Sequence, residues 1–152
     1  WYVGSIPDEP YDIPKIDRSR LRADLRRETV SAPEDMPANT IVVDIDNRHL
    51  FFYPGDGTAI RYGIGVGQEC FDMPAILRVS RKELAAPKSN DEAEWMGLRL
   101  MFLESDARLI HGTNRPDTIG HLVKMGCVRL TNEDVIELYN QTAIGGRVVV
   151  TN

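Results

Sequence analysis

The chain lacks the marks of several large protein classes. It has only two cysteines in 152 residues, so no disulfide framework staples it. No apolar run approaches the roughly 20 residues of a membrane span. Basic residues are outnumbered, 18 Lys and Arg against 23 Asp and Glu, for a formal net charge of −5. That balance argues against a nucleic-acid binder, which needs a basic surface for phosphates. No internal repeat is visible. No signal peptide is visible either, but Trp1 at the start is expected of a fragment or a processed form. The missing targeting segment therefore says nothing about the compartment.

What is present reads as one globular domain. Hydrophobic residues make up 42% and charged residues 27%, both ordinary values. A chain of this size buries roughly two-thirds of its unfolded surface, enough for a core without staples. Residues 1–15 carry three prolines and little periodicity, so an extended arm or linker is expected. Residues 17–29 alternate arginines with acids and read as a short exposed helix. A proline-containing turn, Ala32 to Pro37, ends this leader. The expected division is an N-terminal arm with a short helix over 1–38 and a catalytic domain over 39–152.

Strand signals dominate thereafter. Thr40 to Asp44 is β-branched, His49 to Tyr53 is aromatic, and Ala59 to Gly67 alternates. With the turn Pro54-Gly55-Asp56-Gly57 between them, they predict an antiparallel meander. Leu98–Leu103 and Arg108–His111 predict another pair around Glu104-Ser105-Asp106. Arg147 to Val150 predicts a closing strand. Thr131 or Asn132 caps a helix with two acids in its first turn, and Gly145-Gly146 ends that segment. Thr118 to Lys124 is expected as a second short helix. The polar stretch 82–95 reads as a surface loop.

Cys127 is the sharpest chemical candidate. It sits in Lys124-Met125-Gly126-Cys127-Val128-Arg129-Leu130, with His111-Gly112 sixteen positions upstream. A thiol with an ordinary pKa of about 8.5 is mostly protonated at neutral pH. An imidazole can take that proton and leave a nucleophile for acyl transfer. Gly126 permits close approach of a substrate, and the N–H groups around it suit an oxyanion. The alternative is a buried core thiol. Cys70 has no flanking pattern and reads as a loop or core thiol. His121 is either a second base or an exposed helix residue, and His49 reads as a surface residue. His111, His121, Cys127 and Cys70 lack the spacing of a zinc site, so no metal is expected. Asp44-Ile45-Asp46-Asn47 begins like a calcium loop, but Arg48 follows and it reads as a strand-end turn. Gly63-Ile64-Gly65-Val66-Gly67 lacks a dinucleotide fingerprint and reads as a glycine-rich strand, so no cofactor is expected.

Taken together, Ile110-His111-Gly112-Thr113-Asn114, Ile119-Gly120 and Gly126-Cys127-Val128-Arg129-Leu130, with Asn132 and Asp134, resemble the signature of bacterial L,D-transpeptidase catalytic domains. Thr40 to Asp44, Arg61 to Gly67 and the leader around Ile16-Asp17 look like alphaproteobacterial members. The resemblance spans about residues 16–150. It implies a mainly β fold, a sandwich or mixed sheet with a few short helices. It implies an enzyme of the periplasm or cell envelope that acts on peptidoglycan stem peptides. Cys127 would attack the amide before the terminal D-alanine, with His111 as proton shuttle and the Gly112 carbonyl holding it. N–H groups of Met125, Gly126 and Cys127 would form the oxyanion hole. Arg129, Thr113, Asn114 and Lys124 would face substrate. The thioester would pass to another stem or to an envelope protein; passage to water would make a carboxypeptidase. A catalytically weakened domain that binds peptidoglycan or a partner is the rival reading. Carbapenems would acylate the same thiol. The family usually has Ser-His before Gly-Cys; Lys124-Met125 stand here instead. The loop Cys70 to Ala75 and the segment Arg81 to Gly97 also depart from relatives, which implies a remodelled pocket.

Overall fold

The computed structural model describes residues 1–8, 11–68, 75–84, 96–123 and 128–151. The fold is mainly β, as expected. Strands β4 (Thr40–Asp44), β5 (His49–Tyr53) and β6 (Thr58–Gly63) form the antiparallel meander. In β5 every second side chain is buried, and β4 alternates likewise from Ile41 onward, the pattern of a sheet with one face on a core. The strand β14 (Arg147–Thr151) lies parallel to β4. The strands β3 (Glu28–Ser31) and β8 (Ile76–Arg78) close the two edges of this six-stranded sheet.

The second six-stranded sheet runs in the order β12 (Leu122–Val123), β7 (Gly65–Gly67), β13 (Val128–Leu130), β11 (Leu109–Thr113), β10 (Met96–Phe102) and β9 (Arg81–Leu84). All five residues of β11 are buried, as befits an inner strand covered on both faces. One core cluster draws Ile41, Val43, Leu50 and Phe52 from the first sheet, and Val66, Met101, Ile110 and Val128 from the second. Helix α1 (Asn132–Gln141) adds Val135 and Leu138. Its N-cap is Thr131, whose hydroxyl accepts from the Asp134 N–H at 3.3 Å.

The leader departs from an unpaired arm. Strands β1 (Tyr2–Asp8) and β2 (Tyr11–Ile16) form a separate antiparallel hairpin. Its prolines are compatible because each strand of a two-stranded ribbon keeps one free edge. Ile13 from β2 reaches the main core. Residues 17–29 are not an exposed α-helix. Two single 3-10 turns, Arg18–Arg20 and Ala23–Leu25, are separated by extended backbone at Leu21 and Arg22. Leu21 and Leu25 are buried in a second small cluster with Ile16 and Ile119. The helix expected over 118–124 is also absent. A 3-10 turn at Pro116–Thr118 gives way to β12, because Gly120 takes a φ of +94° that no helix continues through.

The leader crosses the junction between the sheets at Gly63, where β6 hands the chain to β7. A Cβ on Gly63 would lie 2.3 Å from the Leu25 carbonyl oxygen. Gly63→Ala is therefore expected to destabilise the fold by about 1–3 kcal/mol. A melting temperature equal to the native one would show that the leader does not press on this junction.

Candidate active site

His111 sits on β11 with its side chain fully buried. Its Nδ1 is 2.7 Å from the carbonyl oxygen of Gly112. A carbonyl can only accept, so Nδ1 carries the proton and Nε2 presents its lone pair. Nε2 is buried and has no hydrogen-bond partner among the described residues. Burial pushes the His111 pKa down to about 4, against the smaller opposite pull of the Gly112 carbonyl. The side chain is thus a neutral imidazole of fixed tautomer, with one nitrogen held and the other available.

Parallel pairing puts β13 directly beside β11, with Ile110 opposite Val128 and His111 opposite Arg129. Cys127 immediately precedes β13 in the chain. Cys127 itself, with Lys124, Met125 and Gly126, lies outside the described residues, as does Cys70.

Arg129 is 1% exposed. Its guanidinium donates to Thr118 Oγ1 at 3.3 Å, and Thr118 donates on to the Arg115 carbonyl at 2.6 Å. Burial lowers the Arg129 pKa to about 10, which leaves it charged at neutral pH. The side chain lies across Gly65, where a Cβ would meet Arg129 Cγ at 2.7 Å. The glycine-rich stretch that read as a plain strand is therefore the bed for a buried cation.

Thr113 and Asn114 are buried. The Thr113 hydroxyl accepts from the Arg115 N–H at 3.0 Å, so it closes a turn. The Asn114 carbonyl accepts from the Tyr2 hydroxyl at 3.0 Å. His121 is exposed, and its carbonyl accepts from Val66 N–H. His49 is half-buried and its Nε2 lies 2.8 Å from the Asp24 carbonyl of the leader. Asp44 closes its strand-end turn through Asn47. Among the described residues no group of His, Cys, Asp and Glu is placed to hold a metal.

The family model of the YkuD L,D-transpeptidase catalytic domain matches residues 38–150. The chain belongs to the L,D-transpeptidase family. The probable L,D-transpeptidase ErfK/SrfK of Escherichia coli K12 is 31% identical over 136 residues, which cover 72% of this chain and 43% of that protein. The chain thus spans less than half the length of that relative. Among solved structures, an L,D-transpeptidase of Mycobacterium tuberculosis superposes with a TM-score of 0.61 at 20% identity, over 76% of this chain and 58% of that one. The catalytic domain of the E. faecium L,D-transpeptidase gives 0.58 at 21% identity, over 77% of this chain and 99% of that domain. Both likenesses concern the L,D-transpeptidase fold. None of the described helices is long and apolar enough to cross a membrane.

The sequence did not point to the leader's part in this region. Tyr2 meets the loop after His111, and Arg18 and Arg27 meet Asp134 at the start of α1, at 3.3 and 3.5 Å. The spacing of Leu21 and Leu25 was the available signal, since two apolar residues in a charged run need a surface to cover.

Proposed function

We propose that this L,D-transpeptidase domain is a cysteine acyltransferase acting on peptidoglycan tetrapeptide stems. Cys127 is the nucleophile and His111 the base. His111 Nε2 takes the thiol proton as sulfur attacks the carbonyl before the terminal D-alanine. The C–N bond breaks, the leaving amine takes the proton back, and a thioester remains. An amine on a second stem, or on an envelope protein, then displaces the sulfur. In this reading residues 39–152 form the catalytic unit and residues 1–38 a leader packed on it.

The observation that carries the reading is the buried, tautomer-fixed His111 on the strand beside the one that follows Cys127. A neutral imidazole keeps a lone pair available at neutral pH, its held Nδ1 aims the ring, and a thiolate forming beside it raises its basicity above the resting value of about 4. The N–H groups of Met125, Gly126 and Cys127 are the proposed oxyanion hole. Arg129 adds positive charge near the developing anion, and Lys124 adds more at the chain entry to the cysteine. Thr113 and Asn114 shape the loop that bounds the substrate. No cofactor takes part in this chemistry. The proposed location is the periplasm or cell envelope, where the substrate is.

The test is intact mass after incubation with meropenem. A single adduct is expected on the native protein and on Cys70→Ala, and none on Cys127→Ala. An unmodified native protein, reduced beforehand, would count against an activated thiol and favour a peptidoglycan-binding module. Product analysis separates transfer from hydrolysis, since a carboxypeptidase shortens stems without making cross-links.

A further inference from the structure

The leader and the segment Asp117–His121 enclose a crevice of about 220 Å³. Its floor is apolar and tightly built from Leu21, Leu25 and Ile119, each no more than 4% exposed. Gly120 completes the floor, where a Cβ would strike Leu25 Cδ1 at 2.7 Å. The rim carries Trp1, Arg20 and His121. The space suits one sugar or one amino-acid residue.

Arg20 is the distinctive group. The leader's other arginines are committed. Arg18 and Arg27 pair with Asp134, Arg22 pairs with Asp24 at 3.0 Å, and Arg26 donates to the Leu21 and Ser19 carbonyls. The Arg20 guanidinium instead lies over the Trp1 ring, 5.2 Å from its centroid; the Asp17 carboxylate feels its charge, but no carboxylate among the described residues comes within ion-pair distance of it. A guanidinium stacked on an aromatic face keeps its N–H edge open, and that edge matches a carboxylate in two parallel hydrogen bonds. In a chain of net charge −5, this is a local exception to the overall field.

We propose that this crevice is a second binding site of the domain, a subsite for the carboxylate-bearing part of a muropeptide, with Arg20 as its anion ligand. The proposal rests on the peptidoglycan reading above and adds where the ligand's distal part is held. His121 on the rim stands six residues before Cys127, a span of at most about 22 Å of chain. A tetrapeptide extends about 14 Å by the same rule. The thiol therefore lies within about 22 Å of His121, a separation that a stem with its sugar is of a length to cover. Asp117, also on the crevice wall, is paired with Arg115 at 3.4 Å, which leaves the carboxylate's charge to Arg20.

The experiment uses the full chain with Cys127→Ala, so that no transfer consumes the ligand. A disaccharide–tetrapeptide muropeptide is titrated calorimetrically, and so is its derivative with carboxylates converted to amides. Arg20→Gln is expected to raise Kd about tenfold. Amidation should raise it by a similar factor. The two changes combined should cost little more than either alone, because they remove the same contact. An unchanged melting temperature verifies the fold of the variant. No measurable binding, a Kd indifferent to Arg20→Gln, or losses that add in full would overturn the subsite. Arg20-dependent binding in a protein whose native thiol is never acylated would keep the subsite and remove the acyl-transfer reading. Acylation without Arg20-dependent binding would do the reverse.

Discussion

His111→Asn is expected to lower the rates of thiol acylation and of D-alanine release by about 10²–10⁴-fold while leaving the fold intact. Asparagine is the informative replacement because its Nδ2 falls near the position of the imidazole Nδ1. It can still donate to the Gly112 carbonyl, 2.7 Å away in the native site, but offers no basic nitrogen where Nε2 stood. Alanine would confuse the result, since it leaves both a cavity and an unpaired carbonyl in a fully buried position. Equal melting temperatures with a lost rate would assign His111 to the chemistry. An acylation rate within a few-fold of native would remove it from the mechanism.

The same burial predicts where the pH profile turns. His111 is held down to about 4 by desolvation, well below the usual 6.5. The base form therefore persists between pH 6.5 and 4, and the acid limb of kcat/KM should fall nearer 4 than 6.5. A limb at 6.5 would mean an imidazole with its ordinary pKa, one that burial does not depress. Stability follows with a definite sign. Between pH 6.5 and 4 the unfolded chain binds the proton that the native site refuses, so this contribution is full above 6.5 and is lost as pH falls.

How much of this was legible in the sequence depends on the range of the interaction. The meander β4–β6 was visible because β-branched and aromatic runs are local signals, and Thr131 marked the start of α1 for the same reason. The hand-over from β6 to β7 was not, since Gly63 and Gly65 owe their identity to Leu25 and Arg129, far away in the chain. Parallel pairs such as β11 with β13 leave no hairpin signature. Gly112 beside His111 was readable as a motif, but the depressed pKa comes from burial in a sheet whose neighbours are distant in sequence. The Thr113 hydroxyl also closes a turn by accepting from the Arg115 N–H, a local role that the motif did not announce. The leader misled most. Its arginines looked like a solvated face, because the Ile16–Glu133 hydrogen bond and its neighbouring ion pairs span more than 100 residues.

Those ion pairs carry the second large expected effect. Arg18→Ala with Arg27→Ala should destabilise the protein by about 3 kcal/mol, the low end for breaking a buried pair. The low end applies because the two arginine side chains remain 25% and 32% exposed, while Asp134 is 1% exposed. Arg27 also bonds Glu137 at 2.8 Å, and Glu137 accepts from the Tyr62 hydroxyl at 2.7 Å, so the loss spreads into the core. Burial raises the Asp134 pKa and the two arginines oppose it. With a native pKa above the unfolded one, the native state holds the proton more tightly, so this carboxyl costs stability as pH rises through its native pKa. Removing the arginines raises that pKa further, and the variant's deficit should therefore grow as pH rises above the ordinary carboxylate pKa. Adding Asp134→Asn to the double variant should recover part of the loss, because it removes the charge that was left without partners. A double variant within 1 kcal/mol of native, or no recovery with asparagine, would show that water reaches Asp134 freely. The region matched by the family model starts at residue 38 and so contains Asp134 without Arg18 or Arg27. Residues 38–152 alone are expected to lack a cooperative thermal transition, which would make the leader part of the folding unit.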